Sequence, residues 1–146
     1  IEQPAIGADE VLVKVRAAGL DRGTWHLMAG MPYAARLVVG LRAPKNPVPG
    51  LDVAGVGVAV GSEITRFQPG DEVFGRTRNE HRPDPRDEVA PGGCAEAVCV
   101  AEDLLVPKPT NLTFEQAAAV PLAALTALQA LRDAGLVVSG VTPPAT

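Results

Sequence analysis

Residues 47–75, PVPGLDVAGVGVAVGSEITRFQPGDEVFG, decide the fold of this chain. A glycine turn precedes a Val-rich run, a second turn follows at Gly61-Ser62, and a third at Pro69-Gly70-Asp71 leads into another apolar run. Turn residues at such intervals between β-branched runs are typical of strands in a small β-barrel. The stretch therefore predicts strands over residues 51–60 and 72–74.

The glycines of this stretch resemble a nucleotide-binding motif without being one. Gly55, Gly57 and Gly61 are spaced one residue too widely for G-x-G-x-x-G, and no strand-then-helix pattern surrounds them. We interpret them as strand or bulge positions, where the missing side chain lets another backbone or a ligand come close.

Composition limits the class of protein. At 146 residues the chain suits one domain, and with 47% hydrophobic residues but only 3% aromatic ones its core must consist of Val, Leu and Ala. The net charge of −4 offers no basic field for nucleic acid. No apolar run reaches the roughly 18 residues of a membrane span, so we expect no membrane partner.

The start of the sequence and the cysteines bear on location. The first ten residues, IEQPAIGADE, have neither a basic n-region nor a leading Met, so we expect no signal peptide and a native beginning further upstream. Cys94 and Cys99 lie five residues apart on one predicted strand and point to opposite faces. We therefore expect free thiols and a cytoplasmic location.

The rest of the chain supplies one more pair of strands and three helical pieces. Strands are predicted over residues 11–19 and 94–101, with a short helix over Arg22–Ala29 capped by Asp21 and ended by Gly30. Thr113 and Gln116 form a capping box, and the helix that follows should divide into two pieces or kink at Pro121 and close at Gly135. Two loops are expected, an ordered one over residues 31–49 and a solvated one of balanced charge over residues 76–93.

Common catalytic motifs are absent. A zinc site is rejected, because Cys94-x4-Cys99 has no second pair, His26 has no helical partner His and His81 lies in the charged loop. A nucleophile elbow and a P-loop are also missing, so the sequence does not support a hydrolase.

A few polar groups near the short helix remain as candidates, each with a structural alternative. Asp21 is adequately explained as a helix cap, and Trp25 should belong to the core. His26 either faces a ligand or is structural, and Tyr33 either meets a substrate oxygen or lies on the surface. Thr126 either hydrogen-bonds a ligand or its own backbone at i−4.

The order of five motifs resembles a known family. The stretches VLVKVRAAGLDRGTWHLMAG, PVPGLDVAGVGVAVG, FQPGDEVFG, GGCAEAVCV and NLTFEQAAAVPLAALTALQAL are similar to the catalytic domain of medium-chain dehydrogenase/reductases, in the zinc-free, quinone oxidoreductase-like branch. The resemblance covers residues 10–135. It implies a mainly β fold with flanking helices, a GroES-like β-barrel joined to a Rossmann domain, NADPH as cofactor, and hydride transfer to a quinone, enone or aldehyde between the domains.

The resemblance also assigns site residues. Zinc-dependent relatives carry a Cys where this chain has Asp21 and a Gly-His-Glu where it has Gly50-Leu51-Asp52, which implies chemistry without metal. Asp21, commonly Asn in the zinc-free branch, would lie near the nicotinamide and act in both catalysis and cofactor binding. His26 and Tyr33 would be the other catalytic residues on the substrate side, and Thr126 would contact the cofactor.

The resemblance stops before the dinucleotide-binding turn. After the helix the family continues into a Gly-rich turn, whereas this chain reads LVVSGVTPPAT. We therefore expect a GroES-like catalytic domain over residues 1–135, an aberrant tail over residues 136–146, no Rossmann domain, and weak or no NADPH binding by the chain alone. The alternative is a stand-alone GroES-like interaction module, and an exposed helix face in either case predicts a homodimer.

Overall fold

The computed structural model describes residues 5–30, 33, 48–77 and 92–136. Their strands are β1 (Glu10–Gly19), β2 (Asp52–Val60), β3 (Glu72–Arg76), β4 (Ala97–Ala101) and β5 (Leu105–Pro107). Their helices are α1 (Arg22–Ala29), α2 (Phe114–Ala118) and α3 (Pro121–Asp133), and one 3-10 turn, Glu102–Leu104, precedes β5. The strands form one antiparallel sheet in the order β4-β1-β2-β3-β5. The predicted mainly β fold with flanking helices is confirmed.

The central pair of strands, β1 and β2, is irregular in two places. Its register shifts between Leu12 and Val13 and again between Val15 and Ala17. Each shift is a bulge that bends the strand and increases its twist, as closure of a small sheet around a core requires. The backbone of β1 comes close to β2 at Gly55, where an added Cβ would lie 2.2 Å from the Lys14 carbonyl oxygen.

The sheet has a core on each face. Val53 and Ala54 are consecutive in β2 and point to opposite faces, and each belongs to a different buried cluster. The larger cluster is Val-rich and contains Val11, Val13, Val53, Phe67, Val73, Val98, Val100 and Leu105. The smaller one packs Ala117 and Ala118 of α2 against Ala54. Small side chains let this helix lie close to the sheet.

The helix boundaries follow the local signals. Thr113 accepts from the Gln116 amide while the Gln116 side chain accepts from the Thr113 amide, so the predicted capping box is confirmed. Pro121 separates α2 from α3 as expected, because its ring cannot continue a preceding helix. Gly135 follows α3 with a φ of 71°, the left-handed conformation that ends helices.

Strand boundaries differ from prediction by one residue at the starts of β1 and β2, and by more at two other places. Strand β4 begins at Ala97 rather than Cys94, because the Gly93 and Cys94 amides donate to the carbonyls of Gly50 and Pro49 instead of to a neighbouring strand. Arg76, expected in the charged loop, is the last residue of β3. The predicted loops otherwise fall mainly on residues 31–32, 34–47 and 78–91, which lie outside the described residues.

The two thiols occupy different environments, and no disulfide joins them. Cys94 is exposed, whereas Cys99 lies in the core. Burial and the nearby Glu10 carboxylate raise the pKa of Cys99 to about 11. Cys99 is therefore a packing residue without thiolate character. None of the helices in the described part of the chain is long and apolar enough to cross a bilayer.

Lys108 ties the end of the sheet to α2. Its Nζ lies 3.0 Å from Glu72 Oε2 and donates to the Leu112 carbonyl at 2.8 Å, and it lies 5.1 Å from the centroid of the Phe114 ring. Only 6% of its side chain is exposed. We expect Lys108→Met, which keeps the apolar stem, to lower the free energy of unfolding by about 1–3 kcal/mol, because the carbonyl loses a charged donor. Urea denaturation followed by circular dichroism measures this loss.

The matched control is Lys14→Met, because Lys14 is an exposed lysine of β1. Its replacement should change the free energy of unfolding by no more than about 0.5 kcal/mol. Equal effects of the two substitutions would contradict a structural role for the Lys108 ammonium.

Candidate active site

Asp21 holds the start of α1. Its Oδ1 accepts from the Thr24 amide at 2.9 Å and its Oδ2 accepts from the Thr24 hydroxyl at 2.8 Å. Burial acts to raise the pKa of Asp21, but these bonds and one from the Gly23 amide outweigh it, so the pKa lies below its ordinary value of 3.8. Asp21 is thus an anionic cap near neutral pH. Its predicted catalytic and cofactor roles stay predictions.

His26 and Trp25 form an aromatic pair on α1. Their ring centroids are 5.0 Å apart and their planes are inclined by 66°, an edge-to-face contact. Nδ1 of His26 is buried without a hydrogen-bond partner. The expectation that Trp25 belongs to the core is wrong, because 54% of it is exposed. The buried side of α1 is that of Thr24, and one residue further along a helix points about 100° away.

Tyr33 lies at the surface, with 72% of the residue exposed. Its neighbours on both sides in the chain lie outside the described residues. Its predicted contact with a substrate oxygen therefore stays a prediction, as does the substrate-facing role of His26.

Thr126 uses its hydroxyl inside its own helix. Its Oγ1 donates to the Leu122 carbonyl at 2.8 Å, which is the i−4 contact typical of threonine in helices. The residue is exposed, and its hydroxyl oxygen retains acceptor capacity toward an external donor. The predicted cofactor contact of Thr126 stays a prediction.

Asp52 connects the sheet to α3 and is a residue whose role was missed by sequence reasoning. It is the first residue of β2, it is 5% exposed, and its Oδ2 accepts from the Leu122 amide at 3.0 Å. Its Oδ1 is buried without a hydrogen-bond partner. The Gly-x-Asp sequence marked the position, but a contact across 70 residues has no local signal.

The surroundings of Asp52 shift its pKa in opposite directions. Burial is the main cause that raises its pKa, and the carboxylate of Asp21 raises it further. The Leu122 amide and the guanidinium of Arg76, which faces Asp52 across the β2–β3 ladder, act in the lowering direction without cancelling the rise. Asp52 is therefore a carboxyl group whose protonated form is favoured relative to an exposed aspartate.

The polar groups around α1 and the start of α3 define what chemistry these residues can perform. Within residues 5–30, 33, 48–77 and 92–136, no group of three or more His, Cys, Asp or Glu side chains is placed to hold a metal ion. Hydroxyl, imidazole and carboxyl groups are present, and they can orient a polar ligand or move a proton.

Residues 7–110 match the family model described as the alcohol dehydrogenase GroES-like domain. The chain belongs to this family. It is thus a member of the medium-chain dehydrogenase/reductases, as the five motifs indicated. The GroES-like domain identified here contains β1 to β5, and α2 and α3 follow it in the chain.

Relatives of this GroES-like chain are reductases by name. It is 39% identical over 132 residues to 2-methylene-furan-3-one reductase of Solanum lycopersicum, covering 90% of this chain and 32% of the relative. It is 40% identical over 138 residues to the chloroplastic NADPH-dependent alkenal/one oxidoreductase of Arabidopsis thaliana, covering 92% and 31%. The quinone oxidoreductase structure from Coxiella burnetii superposes with a TM-score of 0.72 at 30% identity, covering 92% of this chain and 39% of that one.

The chain spans about a third of the length of these relatives. The strand pairs found in the described residues are all antiparallel, so those residues contain no βαβ unit that would hold a pyrophosphate. The domain division at residue 135 stays a prediction, because the residues that follow position 136 are not described.

Proposed function

We propose that this chain supplies the substrate-side domain of a zinc-independent, NADPH-dependent reductase that transfers hydride to a quinone or an enone. The main support is sequence identity. Across nine tenths of its length the chain is 39–40% identical to enzymes named as a furanone reductase and an NADPH-dependent alkenal/one oxidoreductase. Both names describe conjugated carbonyl substrates.

The nicotinamide end of the cofactor is the part that this chain fits. Thr126 is exposed on α3 with acceptor capacity left on its hydroxyl, so it can accept from the carboxamide of a nicotinamide. NADPH supplies the hydride when it is bound. The pyrophosphate and adenosine parts have no fitting element among the described residues, which supports weak or absent NADPH binding by the chain alone.

The chain's own residues would orient the acceptor. Asp21, fixed by Thr24, would place a negative charge beside the cofactor, and the partly exposed imidazole of His26 would face the substrate. Tyr33 would line the same side. Holding donor and acceptor in line is sufficient for hydride transfer, so no covalent enzyme intermediate is required.

Zinc independence is supported by the same positions. Leu51 has no ligating atom where zinc-dependent relatives have His, and the carboxylate of Asp21 is occupied by Thr24. A metal site would therefore have to be built without two of its usual ligands.

The test adds the part of a relative that this chain does not cover. The whole chain should be fused to the portion of the Coxiella burnetii quinone oxidoreductase that it does not cover, and NADPH oxidation should be followed by absorbance with a quinone, an enone and an aldehyde. We expect reduction of the quinone or the enone by the fusion, no reduction by either part alone, and no loss of rate with a zinc chelator.

Two outcomes would contradict the proposal. A fusion that folds and binds NADPH but reduces none of the acceptors would show that this domain is not catalytic. A rate that disappears with chelator and returns with zinc would show that the enzyme depends on metal.

The second candidate is a protein-interaction module, and the observation that favours it is the exposure of apolar side chains along α3 and just after it. Half of Leu125 is exposed, Leu131 is also exposed, and so is Leu136, which follows the end of α3. Burying such a face drives self-association. Titration of the chain with NADPH, followed by cofactor fluorescence, together with sedimentation separates the two functions. A dimer, no NADPH binding and an inactive fusion would favour the module.

A further inference from the structure

The start of α3 lacks a local cap. Its N-cap residue is Val120, which has no side-chain hydrogen-bonding group, and its first residue, Pro121, has no amide hydrogen. The amides in the first turn of a helix have no partner within the helix. Helix α2 differs, because Thr113 and Gln116 cap it from within its own sequence.

Asp52 supplies the missing cap from the sheet. Its Oδ2 accepts from the amide of Leu122, the second residue of α3, at 3.0 Å. The position of Asp52 is itself fixed, because it is buried and paired in both directions, with Gly19 of β1 and Arg76 of β3. A side chain on Gly19 would lie 2.9 Å from the Asp52 Cβ and 2.4 Å from the Ala118 carbonyl, so this junction is tightly packed.

Among the described residues, α3 contacts the sheet mainly at β3, and few other contacts fix its direction. Pro121 is its one buried residue, and most of the side chains beyond the first turn are exposed. Within the described part of the chain, α3 is packed mainly at its first turn, so the contacts of that turn orient it. The Asp52–Leu122 hydrogen bond is thus placed where it has the most effect on the direction of the helix.

The same backbone residue connects Asp52 to Thr126. The amide of Leu122 donates to Asp52, and its carbonyl accepts from the Thr126 hydroxyl at 2.8 Å. A change in the orientation of the Leu122 peptide groups would therefore also move the Thr126 side chain, because its hydroxyl is bonded to the Leu122 carbonyl.

We propose that Asp52 is a positioning residue that, by capping α3 from the sheet, fixes the place of Thr126 relative to the substrate-side domain. The proposal rests on the proposed function, in which Thr126 faces the nicotinamide. The essential feature is an acceptor oxygen at position 52. Asparagine should therefore replace aspartate in this role, and alanine should not.

Hydrogen exchange in the full 146-residue chain tests whether the Asp52–Leu122 hydrogen bond holds the start of α3. We expect Asp52→Ala to accelerate amide exchange of Leu122 and the following turn of α3 by about tenfold relative to Val13 and Val53, the size of a strong lost cap. Asp52→Asn should stay within about threefold of the wild type. The matched control Thr113→Ala should accelerate exchange in α2 and leave α3 unchanged.

A spectroscopic readout separates positioning from general loosening. The Thr126 methyl resonance should shift in Asp52→Ala and stay in place in Asp52→Asn and Thr113→Ala. If Asp52→Ala does not fold, a backbone ester at residue 122 removes the donor instead and should give the same pattern. Unchanged exchange in α3, or equal effects of Asp52→Ala and Thr113→Ala, would overturn the proposal.

The fusion enzyme separates this inference from the proposed function. We expect Asp52→Ala in the fusion to raise the KM for NADPH about tenfold, with Asp52→Asn close to wild type. A loosened α3 with an unchanged KM and kcat would overturn the positioning role and leave the reductase assignment standing. An inactive wild-type fusion with the expected exchange pattern would overturn the proposed reductase function. The capping of α3 by Asp52 would still stand.

Discussion

Replacing Gly55 with alanine is expected to remove much of the stability of the chain, whereas the same replacement at Gly57 should be tolerated. A Cβ on Gly55 would lie 2.2 Å from the Lys14 carbonyl oxygen and 2.9 Å from Val13 Cγ1. The bulge in β1 just after Val15 brings that carbonyl close to β2, and a backbone carbonyl inside a paired sheet cannot move away. We expect the free energy of unfolding to fall by about 3–5 kcal/mol.

Gly57 is the matched control in the same strand. A Cβ there would lie 3.3 Å from Val11 Cγ1, a side-chain atom, with no other heavy atom nearer than 3.7 Å. A small rotation of the valine accommodates the methyl group, so Gly57→Ala should cost no more than about 1 kcal/mol. Urea denaturation of both variants measures the difference. Equal losses at the two positions would show that backbone entropy, and not the close approach of β1, is the reason for glycine here.

The features that sequence predicted are those with local causes. The capping box at Thr113 and Gln116, the break at Pro121 and the turn at Gly135 each depend on residues within one helical turn. The same is true of the Asp21 cap, whose partner Thr24 is three residues away. Such signals predicted both ends of α1 and the start of α2, and they placed the interruption before α3 at Pro121.

The features that sequence missed depend on distant contacts. The start of β4 was misplaced because Gly93 and Cys94 pair with Gly50 and Pro49. Trp25 was assigned to the core on its hydrophobicity, but among the described side chains of α1 the buried one is that of Thr24, which is bonded to Asp21. The resemblance to a family identified candidate site residues, yet it gave no indication of which hydrogen bonds their side chains already make.

The wild-type chain should lose stability relative to Asp52→Asn as the pH rises above about 4. The pKa of Asp52 is raised above 3.8 in the folded state, chiefly by burial. Between the unfolded pKa and this higher folded pKa, the folded state binds a proton that the unfolded state has released, so the free energy of unfolding falls as the pH rises. The asparagine variant keeps an acceptor for Leu122 and has no proton to lose.

The difference between the two urea midpoints, measured from pH 3.5 to pH 8, isolates this effect. The urea midpoint of the wild type should fall relative to that of Asp52→Asn as the pH rises. The difference should become constant above the folded pKa of Asp52. The other charged groups facing Asp52 are Asp21, whose lowered pKa gives the opposite slope at more acidic pH, and Arg76, which stays charged throughout. Both are present in the two proteins, so their direct contributions largely cancel. A difference that stays flat, or that moves in favour of the wild type, would show that the helix N-terminus and Arg76 outweigh burial at Asp52. The carboxylate would then stabilise the junction through its charge, and asparagine would no longer be an adequate replacement for it.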